Sequence, residues 1–439
     1  MPLRTLVLEN YRCFRDRQEI ELAPVTVVLG KNNSGKSVLT RAPLVIATGF
    51  NTTSTAPLDL DRLGPEVVDD FRELFHDHLT GRPISLGVVV DGSNRFVLEA
   101  DIQYVDSINS AVVSFLDLQH RRLEALFSAS RLVGQGRPET PDIDGIAETP
   151  QPQIRRGETL EYEIQWRGEK RTVGRVDFRG LLPDLAAVPE LADVGRLDLS
   201  LGPIRYLGPY RERVARQHRL PLGKPTVLGA QGEGTAGILA DDFRRADGAL
   251  VARVNELLAT IVPDWRIAEI PAGPLWSTVL TRRGSEVRVN LADAGTGLAQ
   301  VLPILVQCGL DELRGEPSEA LQIIEEPELH LHPAAHAELA DLYLATAKAT
   351  KTQFLIETHS ETLLLRLRRR IAEADNDFTA DMVKVYVVEQ RDGASTVRRV
   401  DIDELGNLDE SWPDGYFSQD YHEVRALAAA QMERLDDAS

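Results

Sequence analysis

Three short stretches of the 439-residue chain carry residue types suited to phosphate chemistry. The first is Gly30, Lys31, Asn32, Asn33, Ser34, Gly35, Lys36, Ser37, followed by Val38, which fits the Walker A pattern Gly-x4-Gly-Lys-Ser. Glycines at the two fixed positions let the loop wrap so that successive backbone N–H groups point at phosphate oxygens. The helix start at Val38 adds the partial positive charge of its N-terminus. Lys36 offers a cation to β- and γ-phosphates, and the Ser37 hydroxyl can complete an Mg²⁺ shell. The second stretch is Glu325-Glu326, two carboxylates at the end of an apolar run from Leu321. Glu325 would reach Mg²⁺ through water, and Glu326 would polarise the water that attacks the γ-phosphate. The third is Thr358-His359-Ser360 after the apolar run Gln353 to Glu357, where His359 could hydrogen-bond a γ-phosphate.

These groups need a scaffold that brings strand ends together. Val25 to Leu29 is a continuous apolar run, as in a strand buried on both faces. The strand ending in Glu325 is expected beside it in a parallel sheet, delivering both acids to the carboxyl edge where ligands bind. Upstream, Leu6 to Leu8 and Glu19 to Leu22 can pair as a hairpin. Alternating segments at 85–90, 96–105, 111–118, 160–166 and 171–178 predict an antiparallel lobe, with a turn signal at Asp91-Gly92-Ser93-Asn94. Residues 132–158 read as a mobile loop, and 236–262 as helical.

Composition narrows the partners. Lys plus Arg total 49 against 68 Asp plus Glu, a net charge of −19, which excludes a uniformly basic nucleic-acid coat but not a local basic groove. Only Cys13 and Cys308 are present, so a disulfide framework is excluded and a reducing, cytoplasmic setting is expected. No apolar run approaches the roughly 18 residues of a membrane span. Seven of the 49 basic residues are Lys, which makes Lys36 in a Gly-Lys-Ser triplet conspicuous.

The order of these motifs resembles the ABC-type ATPase heads of the SMC, RecF and OLD families. It is also similar to a bacterial group of stand-alone ATPases with a small uncharacterised C-terminal domain. There, Glu-Thr-His-Ser-Glu precedes an Arg-rich helix, as in Glu357 to Ile371, and a late Trp-Pro-x-Gly-aromatic-Phe recurs, as in Trp412 to Phe417. The resemblance implies an α/β P-loop NTPase head, with a mixed sheet around a parallel core, an antiparallel β lobe and helical segments. It makes Glu325 and Glu326 the Walker B pair and His359 the switch histidine. Ala294, Gly295, Thr296 and Gly297 become a signature loop that caps the γ-phosphate held by a second subunit, and Arg12 would lie near the nucleotide. ATP and Mg²⁺ follow as cofactors, and a homodimer around two Mg·ATP as the assembly.

The implied function is an ATPase switch in DNA processing or anti-phage defence, working with a separately encoded effector. The alternative is an ATP-gated scaffold with little turnover. A membrane transporter suits the insert after the phosphate loop poorly. The chain departs from the family at Glu325, where Asp is usual. No Q-loop glutamine is evident, with His76 as a stand-in, and 80 residues after His359 leave no room for a Toprim nuclease.

The expected organisation is a first lobe over 1–270, a second over 271–395 and an acidic segment over 396–439 packed on the head. Residues 401–439 hold eleven acids against two Arg. Two arginine clusters, Arg211, Arg213, Arg216, Arg219 and Arg366, Arg368, Arg369, Arg370, fit either a DNA or partner groove or a salt-bridged face. His330 and His332 beside acids raise a metal reading that lacks a third ligand.

Overall fold

The computed structural model describes residues 2–129, 160–413, 416–417, 425–427 and 431, apart from 65–66, 93, 167–168, 189–190, 192–196, 198, 221–222, 224–226, 273, 315–318 and 374–376. The loop expected at 132–158 lies outside the described residues. A six-stranded mixed sheet forms the centre, in the order Ile204–Leu207, Leu321–Glu325, Gln353–Glu357, Val25–Gly30, Val383–Arg391, Ala394–Val400. The first five strands are parallel and the last is antiparallel. Contrary to the expectation from sequence, the strand ending in Glu325 therefore does not adjoin the phosphate-loop strand. The Gln353–Glu357 strand lies between them, with all five of its residues buried. Its apolar stretch follows the acid strand after one helical crossover, and consecutive parallel strands joined this way usually become neighbours.

Among the described residues the sheet is accompanied by α1 Lys36–Ala47, α2 Thr235–Arg245, α3 Ala249–Ile261, α4 Thr296–Leu313, α5 Pro333–Thr350 and α6 Glu361–Ala372. Strand residues alternate between two cores, as a period of two requires. Val28, Leu355, Leu321 and Ile323 face a cluster shared with α1 and the antiparallel sheet. Val25, Val27, Leu29, Phe354, Ile356 and Ile324 face a second cluster built with α2 to α6. Burial on both faces explains why these strands read as unbroken apolar runs.

The antiparallel lobe is one eight-stranded sheet in the order Gln18–Glu21, Leu3–Glu9, Ile84–Val90, Phe96–Val105, Ser110–His120, Leu123–Ala129, Glu161–Trp166, Glu169–Arg175. The expected hairpin is present, with Leu6 opposite Ile20. Leu123–Ala129, a strand not anticipated, pairs with Ser110–His120 across a two-residue turn. A smaller sheet pairs Trp265–Ala272 with Leu275–Arg282, and the latter with His218–Arg219 and Arg288–Asn290. It leads directly into the loop before α4. The central sheet draws strands from both sides of the expected division at 270/271, and Ala394–Val400 spans the one at 395/396. Among the described residues no helix is long and apolar enough to cross a membrane.

Candidate nucleotide site

The phosphate loop leaves a strand in which all six residues are buried and enters α1 through Gly35, whose φ of 102° favours glycine. A Cβ at Gly30 would stand 2.5 Å from Ser34 Oγ and 2.6 Å from the Val388 carbonyl. One at Gly35 would stand 2.5 Å from Cys13 Sγ. Both glycines are thus required by close packing around the loop. The buried Ser34 hydroxyl has no hydrogen-bond partner among the described residues. Lys36 is buried, its Nζ donating to the Lys31 carbonyl at 3.0 Å. Burial pushes the Lys36 ammonium down from its usual range, and Glu357 and Glu326 oppose that shift. Lys31, Asn32 and Asn33 are exposed at the loop's outer face.

The acid strand and its neighbour end side by side, Glu325 opposite Glu357 in parallel register. Glu326 follows at φ 44°, its N–H donating to the Glu357 carbonyl at 2.8 Å. That bond ties the two strand ends and holds Glu326 half-buried in the field of Lys36. His359 N–H and the Thr358 hydroxyl both donate to Glu328 Oε1 at 2.7 Å. The His359 imidazole is pushed below its usual range by partial desolvation and then by Lys36, with Glu326 and Glu328 opposing. Lys36 and Glu326 thus both adjoin Glu357, whose strand leads to His359 two residues on.

Glu325 is 1% exposed and fully engaged. Arg41 Nε and Nη2 donate to its two oxygens at 2.6 Å each, and the Tyr206 hydroxyl donates to Oε2 at 3.1 Å. Ser37 Oγ donates instead to Glu357 Oε1 at 3.1 Å, and Lys36 Nζ lies 3.8 Å from the same oxygen. Burial, then the charge of Glu325, pushes the Glu357 carboxyl up to about 7. The oxygens present at this edge, Ser37 Oγ and the Glu357 carboxylate, are hard donors of the kind that suits Mg²⁺ rather than a softer ion. Arg211 is buried against this edge, donating to the Glu325 carbonyl at 3.2 Å.

The loop before α4 presents Gly295 and Thr296 exposed, with Ala294 and Gly297 half-buried. A Cβ on Gly297 would meet the His330 carbonyl at 2.5 Å, so the turn after Glu326 packs on this helix start. Arg12 donates to the Val67 carbonyl at 2.7 Å and pairs with Glu73 at 3.8 Å, while its neighbour Cys13 lies against Gly35. His76 Nδ1 bonds the Arg12 carbonyl at 2.7 Å and clamps the 70–78 turn. His332 Nδ1 accepts the Ala334 N–H at 3.2 Å as the cap of α5. The arginines of α6 are paired: Arg366 with Glu338 and Asp341, Arg370 with Asp341 and Glu373, Arg369 with Glu373. Arg368 donates to the Gly406 carbonyl. This cluster is a salt-bridged face. Trp412, Tyr416 and Phe417 meet edge-to-face or tilted and pack on the core that includes α6.

Sequence reasoning passed over Glu357, Arg41 and Tyr206. Arg41 stands four residues after Ser37, on the same face of α1, and Glu357 ends an apolar strand as Glu325 does. Both signals were available.

Two families match the chain: one described as AAA ATPase domain over residues 1–62 and 241–364, and a protein of unknown function (DUF3696) over 379–427. No curated protein matches. The solved structures similar to it include an SMC head bound to the C-winged helix domain of ScpA, 13% identical, TM-score 0.47, covering 92% of this chain and 99% of the other. The SMC head domain from Thermotoga maritima is 12% identical, TM-score 0.42, covering 92% and 100%. An Smc head with an extended coiled coil, bound to the C-terminal domain of ScpA derived from Pyrococcus furiosus, is 12% identical, TM-score 0.43, covering 91% and 96%.

Proposed function

We propose that this chain, which matches an AAA ATPase domain over residues 1–62 and 241–364, is an ATP-hydrolysing switch of ABC type that closes with a second copy around two nucleotides and reopens on turnover. The reading is carried by one observation: Lys36, at the start of α1, and Glu326, after the acid strand, both meet Glu357, through Nζ at 3.8 Å and a backbone N–H at 2.8 Å, two residues before His359. Lys36 would leave the Lys31 carbonyl for the β- and γ-phosphates, and the N–H groups of 31–37 would line them. Ser37 and a buried carboxylate of this edge would hold Mg²⁺, which would supply charge neutralisation at the phosphate oxygens. Glu326 would orient and polarise the attacking water, and His359 would hydrogen-bond the γ-phosphate.

The exposed start of α4 supports a role in trans. No side chain caps it, and the N–H groups of its first residues, Thr296 and Gly297, have no partner within the helix, so the turn at Gly295 to Gly297 can cap an anion on another molecule. By family resemblance, the closing motion would serve DNA processing or anti-phage defence through a separate effector.

Glu326→Gln tests the reading. The variant should bind ATP, lower steady-state turnover by about 100-fold or more, and sediment as a dimer with ATP but not with ADP. Turnover at the wild-type rate would overturn it. ATPase assayed with and without DNA then separates a DNA-responsive switch from a scaffold whose turnover ignores DNA.

A further inference from the structure

We propose that Glu357, from the strand leading to His359, is the carboxylate that faces the cation of this site, with Glu325 held in place by Arg41 as its support. The inference rests on the nucleotide reading above and concerns which acid serves it. Both carboxylates are buried and stand opposite each other in register, so position alone does not choose between them. Their partners do.

Glu325 has each oxygen taken by the Arg41 guanidinium in a two-pronged pair, and a third donor in Tyr206. Such a pair is geometrically specific and close to neutral. A divalent ion approaching Glu325 would meet the guanidinium as well as the carboxylate. Glu357 lies in the field of Arg41 but is bonded by neutral hydroxyls. Its oxygens accept from Ser37 Oγ at 3.1 Å and Thr40 Oγ1 at 3.4 Å, with Lys36 Nζ at 3.8 Å.

Each of those contacts can be given up. A hydroxyl that donates to a carboxylate can turn its lone pairs to a cation placed between them. Lys36 is drawn off once phosphate oxygens enter the loop. What remains is the Ser37 oxygen facing the Glu357 carboxylate, the hard oxygen environment Mg²⁺ selects. Thr40 Oγ1 also stands 3.5 Å from Glu325 Oε1, so the Arg41-held acid and Glu357 brace each other through one hydroxyl.

The test uses the full chain and Mn²⁺ as the probe ion, read by electron paramagnetic resonance with a non-hydrolysable ATP analogue. Binding of a fluorescent ATP analogue in EDTA is measured in parallel. Glu357→Gln should weaken Mn²⁺ binding by about 10- to 100-fold while the protein still takes up the nucleotide in EDTA. Glu357→Asp, which keeps the charge but draws it back by one methylene, should lose about 3- to 10-fold. It also serves if the Gln variant does not fold. Mn²⁺ affinity unchanged in both variants, or a larger loss in Glu325→Gln than in Glu357→Gln, would overturn the assignment. A wild-type protein that binds nucleotide but no Mn²⁺ would overturn it as well. A wild-type protein that binds no nucleotide in either condition overturns the nucleotide reading instead.

Discussion

The edge of the central sheet and the small sheet that leads into α4 both bury glutamates, and burial acts on them in the same direction. Glu357 at the edge and Glu269 in the Trp265–Ala272 strand are each pushed up to about 7, chiefly by desolvation. Their surroundings differ. Glu357 faces a hydroxyl, an ammonium and a second acid at strand ends that open onto a glycine loop. Glu269 lies mid-strand, 3% exposed, opposite Thr278, whose hydroxyl donates to it at 2.6 Å. His218 stands 3.6 Å away, with no hydrogen bond to either ring nitrogen among the described residues. A raised carboxyl therefore does not by itself mark a site. Partners that a ligand can displace, placed at strand ends, do.

The largest effect separating the two regions should come from Arg41→Ala. It leaves Glu325 buried and unpaired, and should cost about 3–5 kcal/mol in denaturant unfolding. Adding Glu325→Gln should recover much of that loss; if the double variant is no better than the single, Arg41 matters for packing rather than charge.

Next is the pH response of the small sheet. Glu269 has a folded value of about 7 against an ordinary 4.5, so it binds its proton more tightly when folded. Its contribution is fully present below about pH 4.5 and is lost as pH rises through 7, on the order of 3 kcal/mol in all. Glu269→Gln should flatten the fall in unfolding midpoint between pH 5 and 8. An unchanged slope would mean that Glu269 is not the group responsible.

A finer cut lies within the loop at α4. Gly297→Ala forces a methyl against the His330 carbonyl and should cost about 1–3 kcal/mol. Gly295→Ala meets nothing within 4 Å and should stay within about 0.5 kcal/mol of wild type while lowering ATP turnover. Equal thermal shifts for the two would break the distinction between a packed and a presented glycine. The smallest effect belongs to Arg216→Ala. Its pair with Asp293 is largely exposed, and removal should change stability by about 0.5 kcal/mol or less, shrinking further in high salt.

The amino-acid order by itself determined the local devices. A buried strand, two glycines and a helix start specify the phosphate loop through backbone geometry confined to some fifteen residues. Apolar runs ending in Glu325-Glu326 and in His359 announce strands whose polar ends must emerge at a rim. The antiparallel lobe was legible from alternation and turn residues, apart from Leu123–Ala129, whose two-residue turn of Arg121 and Arg122 carries no glycine.

Only the tertiary structure decided which strand lies next to which, and with that the company each acid keeps. Inserting Gln353–Glu357 beside the phosphate-loop strand put Glu357 against Ser37, and left Glu325 to an arginine 284 residues away in sequence. Arg211, one of four arginines grouped by sequence, went inside to the Glu325 carbonyl, while Arg216 went to an exposed aspartate. Hydrogen-bond period and turn chemistry act over a few residues and can be read along the chain. Charge pairing depends on register between strands hundreds of residues apart, which is fixed when the two cores close on the sheet.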